Sequence, residues 1–235
     1  PQALAQAIQP DTILVTLAHV NNEVGSIQSL AEMGQVISSW GRKRPFFHVD
    51  AVQSFGKLPL DLNWGIDLLS LSGHKIHGPK GIGALYRKKG INLEPIFHGG
   101  GQESGLRSGT ENVPAIGGLA TAAQLDWGTP EIQQLKDRFF EELPGEYQVN
   151  SPPGASPYII NLSFPGLRGE IIVHALEERG VYVSTGAACS SRSHGSNHVL
   201  QAMGLSSPEW SGAIRVSLAR DTTEEEVIQG AQILG

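Results

Sequence analysis

Two short apolar segments, each followed by a charged side chain, constrain this chain more than any other feature. Residues 46–50 end in Asp50, and residues 67–72 are followed closely by Lys75. Short apolar runs bounded by turn residues predict buried β-strands. Open α/β sheets bind ligands beyond the carboxyl ends of their strands. The sequence therefore predicts Asp50 and Lys75 at a ligand-binding sheet edge, and the alternative is two surface loops that each carry one charge.

An acid and a lysine placed in this way can serve pyridoxal 5'-phosphate (PLP). The lysine binds the cofactor aldehyde, and a carboxylate keeps the pyridine nitrogen protonated. The amine must be neutral to attack the aldehyde, which desolvation and nearby positive charge favour. Two ordinary roles stay open. Lys75 can be a solvated loop lysine like Lys80, and Asp50 can cap a helix that begins at Ala51.

Composition limits the partners and the compartment. The chain has 235 residues, 40% of them hydrophobic, and a formal net charge of -6. A negative chain predicts neither nucleic acid nor an anionic membrane as a partner, and no apolar run approaches the roughly 20 residues of a membrane span. The single cysteine, Cys189, excludes an internal disulfide and fits a reducing cytoplasm or organelle matrix. Its polar, cationic setting favours a reactive thiol, and the alternative is an inert buried cysteine.

The length fits one large or two small domains, and we expect two, one over residues 1–126 and a smaller α+β domain over 127–235 that carries the cysteine loop. The larger domain is predicted to hold a mixed sheet. The predicted strands are 12–20, 46–50, 67–72, 82–87, 158–163, 181–184 and 213–218, and the predicted helices are 2–8, 30–40, 113–124, 131–143, 169–179, 196–203 and 222–234. The last helix is predicted to begin with a capping box of Thr222 and Glu225.

Four motifs resemble one enzyme family. HVDAVQS (48–54) and SGHKIHGPKGIGALY (72–86) resemble the PLP segments of the class V aminotransferases. HGGGQESGLRSGTENVPAIGG (98–118) and GAACSSRSHGSNHVLQAMG (186–204) are similar to the NifS/IscS-like cysteine desulfurase branch of that family. The resemblance implies the α/β fold of PLP-dependent transferases of fold type I, with this chain covering part of the large domain and the small C-terminal domain.

The resemblance also implies a set of cofactor-binding residues. Lys75 is expected to hold PLP covalently and Asp50 to contact the pyridine nitrogen, while Gln53 donates to the phenolic oxygen. Ser72 and His74 are expected to bind the phosphate, together with Thr110 from a second subunit. His74 is also expected to take part in catalysis. Family members carry a long segment ahead of the part matched here, so we expect further cofactor contacts before Pro1.

Three more residues have roles implied by the resemblance. Asn22 is expected to contact the cofactor and the substrate, and Arg215 to bind the substrate carboxylate, which suits a bidentate guanidinium. The alternatives are a turn asparagine and a surface arginine paired to an acid. Cys189 is expected to accept sulfur. His194 and His198 lie near it in sequence, but zinc sites need further ligands, so no metal is expected.

The implied reaction is the removal of sulfur from L-cysteine, which gives L-alanine and a persulfide on Cys189. Lys75 is expected to move the α-proton. The expected partners are L-cysteine, a second copy of the chain in a homodimer, and a sulfur-acceptor protein such as an iron–sulfur scaffold, in the cytoplasm. Two alternatives stay open. One is another class V PLP enzyme, such as a selenocysteine lyase or an aminotransferase, and the other is a non-catalytic sulfur-carrier or assembly module.

Overall fold

The computed structural model describes residues 1–186 and 197–235, and these form two compact units. The first unit comprises Pro1–His19 and Gln28–Asp126, and the second comprises Val20–Ile27 and Trp127–Gly235. The short segment Val20–Ile27 thus belongs with the C-terminal part of the chain, although the predicted first domain includes it. The predicted domain ranges remain a prediction.

The first unit is built on a four-stranded sheet with helices beside it. Its elements in chain order are α1 (Gln2–Ala7), β1 (Leu14–Ala18), α2 (Leu30–Ser38), β2 (Phe46–Asp50), β3 (Leu68–Ser72), β4 (Gly83–Arg87) and α3 (Val113–Ala122). The strand order is β1-β2-β3-β4. The first three strands are parallel and β4 pairs antiparallel with β3, so the sheet is mixed.

The core of the first unit lies on one face of this sheet. Alternate strand residues such as Val15, Phe47, Val49 and Leu69 are buried and pack with Leu30, Met33 and Ile37 of α2. Helix α2 closely approaches the 3-10 turn Leu62–Trp64 at Gly34, where a Cβ atom would overlap the Trp64 carbonyl oxygen. The period of two in the strands and the apolar stripe on α2 explain why these segments form this layer.

A buried ion pair lies at the end of the sheet opposite the predicted site. Asp67, which is 2% exposed, accepts from Arg44 Nη1 at 2.6 Å and from Arg44 Nη2 at 2.8 Å. The Phe47 N–H also donates to this carboxylate at 2.9 Å. Burial alone raises the pKa of Asp67, but the hydrogen bonds from Arg44 and Phe47 and the charge of Arg44 outweigh it and hold the pKa below its ordinary value.

The second unit contains a three-stranded antiparallel sheet of order β5-β6-β7. Its elements are α4 (Thr129–Glu142), β5 (Gln148–Val149), β6 (Ile159–Ser163), α5 (Gly169–Glu177), α6 (His198–Ala202), α7 (Ser207–Ser211), β7 (Ala213–Ser217) and α8 (Glu224–Leu234). All five residues of the central strand β6 are buried. Within the described ranges, none of the helices is long and apolar enough to cross a membrane.

Two sequence-based expectations for the second unit are wrong. The segment 181–184 is not a strand: it contributes only an isolated bridge between Ser184 and Arg215. The capping box of the last helix is Thr223 with Glu226, one residue later than predicted. Thr222 does not cap the helix because its Oγ1 accepts from the Ala219 N–H at 2.9 Å. The strand β5 and the helix α7 were not predicted.

Candidate functional site

The first unit places Asp50, Ser72, His74 and Lys75 at one edge of its sheet. Asp50 is the last residue of β2 and Ser72 the last of β3. These strands are parallel neighbours, with Asp50 paired to Ser70, so their carboxyl ends lie side by side. A 3-10 turn, Gly73–Ile76, follows β3 at once and carries His74 and Lys75. The strand-end arrangement predicted from the sequence is therefore present.

The exposed Asp50 carboxylate begins a turn rather than a helix. Its Oδ1 accepts from the Val52 N–H at 2.9 Å, while the Ala51 carbonyl accepts from Ser54 and Phe55. Asp50 therefore caps a turn, and not the helix that the alternative interpretation placed at Ala51. Gln53, half-buried, lies on the same turn. One carboxylate can hold this turn and still present an oxygen to a ligand.

Ser72 and His74 form a polar pair directly beyond β3. Ser72 Oγ and His74 Nδ1 are 2.8 Å apart. The backbone between them is anchored, because the Gly73 N–H donates to the Ile82 carbonyl and the Gly78 N–H donates to the Gly73 carbonyl, each at 2.9 Å. A hydroxyl and an imidazole held in this way can donate hydrogen bonds to an anion such as a phosphate.

Lys57 is a residue at this site that the sequence did not suggest. Burial and, to a smaller extent, the positive charge of Lys75 together lower the pKa of Lys57 to about 8. Two amines close enough to sense each other's charge therefore lie near the sheet edge. The sequence holds no signal for this proximity, because Lys57 follows β2 in an irregular segment and only the tertiary fold brings it towards Lys75.

Thr110 and Arg107 lie on the long loop after β4, in the first unit. Thr110 is exposed in the single chain. A residue that contacts a second subunit has to be accessible in this way. The Arg107 guanidinium stacks over the Phe97 ring at 4.7 Å from the ring centroid and donates to the Ser108 carbonyl. Arg107 is thus engaged within its own loop.

Asn22 and Arg215 lie in the second unit. Arg215, on β7, is half-buried, and its Nη1 donates to the Asn22 carbonyl at 3.0 Å. Burial lowers the pKa of Arg215, and the negative charge of Glu23 acts against that shift. The neighbouring Asn21 builds the turn, because its Oδ1 accepts from the Glu23 N–H at 2.9 Å. Arg215 is therefore not the surface arginine of the alternative reading.

Cys189 and His194 lie outside the described residues. The segment leading to them ends in a small turn, where Ser184 Oγ donates to the Gly186 carbonyl at 2.7 Å. The backbone of Ser184 is bridged to Arg215. Over 1–186 and 197–235, the structure brings together no group of three His, Cys, Asp or Glu side chains that could hold a metal ion.

The mixed sheet, the strand-end lysine and the second antiparallel sheet define a PLP-dependent transferase fold, and comparison with known proteins agrees. The Aminotransferase class-V family profile matches residues 1–229. The chain therefore belongs to the class V aminotransferase family. This result confirms the resemblance stated from the four motifs.

Individual relatives give finer information. The "Cysteine desulfurase IscS" of Methanosarcina thermophila is 41% identical over 238 residues, covering 97% of this chain and 58% of the relative. A solved "NIFS-LIKE PROTEIN" superposes with a TM-score of 0.89 at 37% identity, covering 99% of this chain and 63% of that one. The structure "SspA in complex with cysteine" gives a TM-score of 0.80 at 38% identity, covering 94% and 63%. These neighbours confirm the predicted fold class, and the chain spans only about six tenths of each relative.

The donor set at the sheet edge fits PLP. Lys75 supplies an amine for the aldehyde and Asp50 a carboxylate for the ring nitrogen. Ser72 Oγ and His74 Nδ1, 2.8 Å apart, supply hydrogen-bonding groups for a phosphate oxygen. These groups have the chemistry that each part of the cofactor requires, and they follow two adjacent parallel strands.

Proposed function

We propose that the protein to which this chain belongs is a cysteine desulfurase, which removes sulfur from L-cysteine to give L-alanine and an enzyme persulfide. The observation that carries the proposal is the placement of Asp50 and of Ser72–Lys75 at adjacent strand ends in a chain of this family. The names of the relatives support the same activity, and one neighbour is a complex with cysteine. They do not favour an aminotransferase, a selenocysteine lyase or a non-catalytic carrier.

In this proposal the first unit holds PLP. Lys75 carries it, Asp50 contacts the ring nitrogen and Gln53 the phenolic oxygen, while Ser72 and His74 bind the phosphate. When bound, PLP supplies an electron sink for the substrate α-carbon. Asn22, in the second unit, is proposed to contact the cofactor and the substrate.

The substrate is proposed to be held by Arg215 through its carboxylate, while Lys75 moves the α-proton and His74 assists. The Cys189 thiolate attacks the substrate sulfur and forms a sulfur–sulfur bond. The carbon–sulfur bond breaks with its electron pair left on carbon, where a proton completes the methyl group of alanine. No external oxidant is needed, because the two electrons that sulfur loses in forming the persulfide stay on the carbon that becomes the methyl group.

The proposed assembly follows from the same site. We propose that Thr110 reaches the phosphate of a second copy and that the protein is a homodimer, which sedimentation of the whole protein tests. The persulfide is proposed to pass to an acceptor protein, such as an iron–sulfur scaffold, in the cytoplasm. A purified acceptor that gains radiolabelled sulfur from the loaded enzyme would support this step, and the absence of transfer would oppose it.

The role of Lys75 is tested by cofactor trapping. The chain is mixed with PLP, reduced with borohydride and digested, and mass spectrometry locates the modified lysine. We expect the adduct on Lys75, its loss in Lys75→Ala, and its retention in Lys80→Ala, because Lys80 is exposed on the same loop and has no proposed role. An adduct that persists in Lys75→Ala would show that another lysine binds the cofactor.

The role of Cys189 is tested by its serine variant. We expect Cys189→Ser to keep the trapped adduct and to lose both persulfide and alanine, with alanine release falling by orders of magnitude because the nucleophile is gone. A variant that releases alanine at the parent rate would contradict a desulfurase and favour another PLP reaction.

A further inference from the structure

Two successive carbonyl groups of the segment Val20–Ile27 are held by a pair of residues on neighbouring strands. The Asn22 carbonyl accepts from Arg215 Nη1 at 3.0 Å, and the Glu23 carbonyl accepts from Asn161 Nδ2 at 3.1 Å. Asn161 on β6 and Arg215 on β7 are register partners in the antiparallel sheet. The sheet therefore grips one peptide unit and its neighbour with two adjacent side chains.

Asn161 is fixed in this position by further hydrogen bonds. It is fully buried, and its Oδ1 accepts from Asn150 Nδ2 at 2.8 Å while its backbone N–H donates to Ser151 Oγ at 2.9 Å. Asn150 Nδ2 also donates to Ser163 Oγ at 2.7 Å. Both ends of the Asn161 amide are thus used, so a flipped amide would place like groups against Asn150 and Glu23.

The hydrogen bond to the Asn22 carbonyl fixes the orientation of the Arg215 side chain. The guanidinium is planar and its donors are rigidly related, so holding Nη1 on the Asn22 carbonyl also sets the direction of Nε. Nε is buried and has no acceptor among the described residues. Glu23, 5% exposed, keeps a negative charge near the same guanidinium. The remaining edge of Arg215 is therefore oriented before any anion binds.

We propose that Asn161 is a positioning residue: by holding the Glu23 carbonyl, it fixes the adjoining Asn22 carbonyl and so orients the Arg215 guanidinium for a carboxylate ligand. This inference rests on the proposed function, in which Arg215 binds the carboxylate of the substrate. Asn161 does not touch the substrate. It acts through the Glu23 carbonyl, which is one residue along the chain from the Asn22 carbonyl that Arg215 contacts. The buried network with Asn150 and Ser163 keeps Asn161 in place.

The test compares Asn161→Leu with Ser163→Ala in the PLP-loaded protein. Leucine has a similar shape but cannot donate to Glu23. Ser163→Ala removes a hydrogen bond from the same buried network and leaves the Glu23 contact untouched. We expect Asn161→Leu to raise KM for L-cysteine about tenfold, the loss typical of a weakened hydrogen bond to a charged group, with kcat within about twofold. We expect Ser163→Ala to lower thermal stability and leave KM unchanged.

A second readout needs no cofactor. Acetate is titrated into the chain while NMR follows the Arg215 Nε–H signal, and we expect Asn161→Leu to weaken acetate binding about tenfold. If the leucine variant does not fold, Asn161→Asp replaces it, because aspartate keeps the oxygen that accepts from Asn150. If neither folds, the unchanged chain decides: acetate must shift the Asn161 side-chain amide together with Arg215 Nε–H, and an unmoved amide overturns the inference.

Comparing Arg215→Lys with the Asn161 variants distinguishes the positioning role of Asn161 from the proposed function on which it rests. If Arg215→Lys leaves KM unchanged, the proposed role of Arg215 is wrong. If Arg215→Lys raises KM but a folded Asn161 variant does not, the function stands and the positioning role is wrong. Equal losses in Asn161→Leu and Ser163→Ala would also overturn the inference, because they would reflect destabilisation of the network alone.

Discussion

Removing the arginine of the Arg44–Asp67 pair should destabilise the first unit by about 3 kcal/mol. Breaking a buried pair by deleting one partner typically costs about 3–5 kcal/mol, because the other charge stays buried. We take the lower end for Arg44→Met. The Phe47 N–H still donates to the Asp67 carboxylate, and the Arg44 side chain was 27% exposed rather than fully desolvated. Methionine keeps the apolar stem in place.

The same pair gives a pH dependence with a definite sign. In the unchanged protein the pKa of Asp67 is below its ordinary value, so its stabilisation is present above about pH 4 and is lost as the pH falls through the lower folded value. In Arg44→Met the main partner is gone and burial raises the pKa of Asp67. Acid then protonates a carboxylate that is better neutral, so the difference in stability between the two proteins should shrink from pH 7 to pH 4.

Urea unfolding at pH 7, 5.5 and 4 tests this expectation, followed by the indole NMR signals of Trp40 and Trp64, which both lie in the first unit. Arg42→Met is the matched control, because Arg42 is an exposed arginine two residues away. A loss below about 1 kcal/mol at pH 7, the range of surface pairs, would refute the reasoning. So would a loss that does not shrink in acid or that Arg42→Met reproduces.

Two further measurements test the packing and the amine pair. Gly34→Ala should lower the free energy of unfolding by about 3 kcal/mol, because its methyl group would overlap a backbone carbonyl. Gly230→Ala, in open space on α8, should raise it by about 0.5–1 kcal/mol. Urea midpoints that do not separate in this way would contradict the close approach. Lys57 should titrate near pH 8 by NMR of its side-chain carbon, and Lys75→Met should raise that midpoint while Lys80→Met leaves it unchanged; an unmoved midpoint in Lys75→Met would exclude the charge coupling.

The sequence by itself determined the strands of the first unit and the chemistry at their ends. Each strand is a short apolar run with a period of two or full burial, and this pattern depends on neighbouring residues only. The predicted strand over 46–50 matches β2 residue for residue, and the predicted 67–72 differs from β3 by one. Asp50 ends the first of these strands and Lys75 closely follows the second, so their place at the sheet edge could be predicted once the strands were recognised.

Where two local sequence patterns predict a structure equally well, only the tertiary structure decided which one forms. Thr222 with Glu225 and Thr223 with Glu226 both have the spacing of a capping box, and the Ala219 N–H decides the outcome by occupying Thr222 Oγ1. The segment 181–184 has the composition of a strand, but it meets β7 only at Ser184. A local pattern cannot report which partners the rest of the chain supplies.

The assignment of Val20–Ile27 to the second unit is another feature that local sequence patterns could not predict. This segment directly follows β1 in sequence, yet it belongs to the second unit. Its carbonyl groups accept hydrogen bonds from Ser156, Asn161 and Arg215, which lie more than a hundred residues away in sequence. The sequence could name Arg215 and Asn22 through a family resemblance. It could not name Asn161 or Glu23, because their roles exist only where distant strands bring buried donors to one turn.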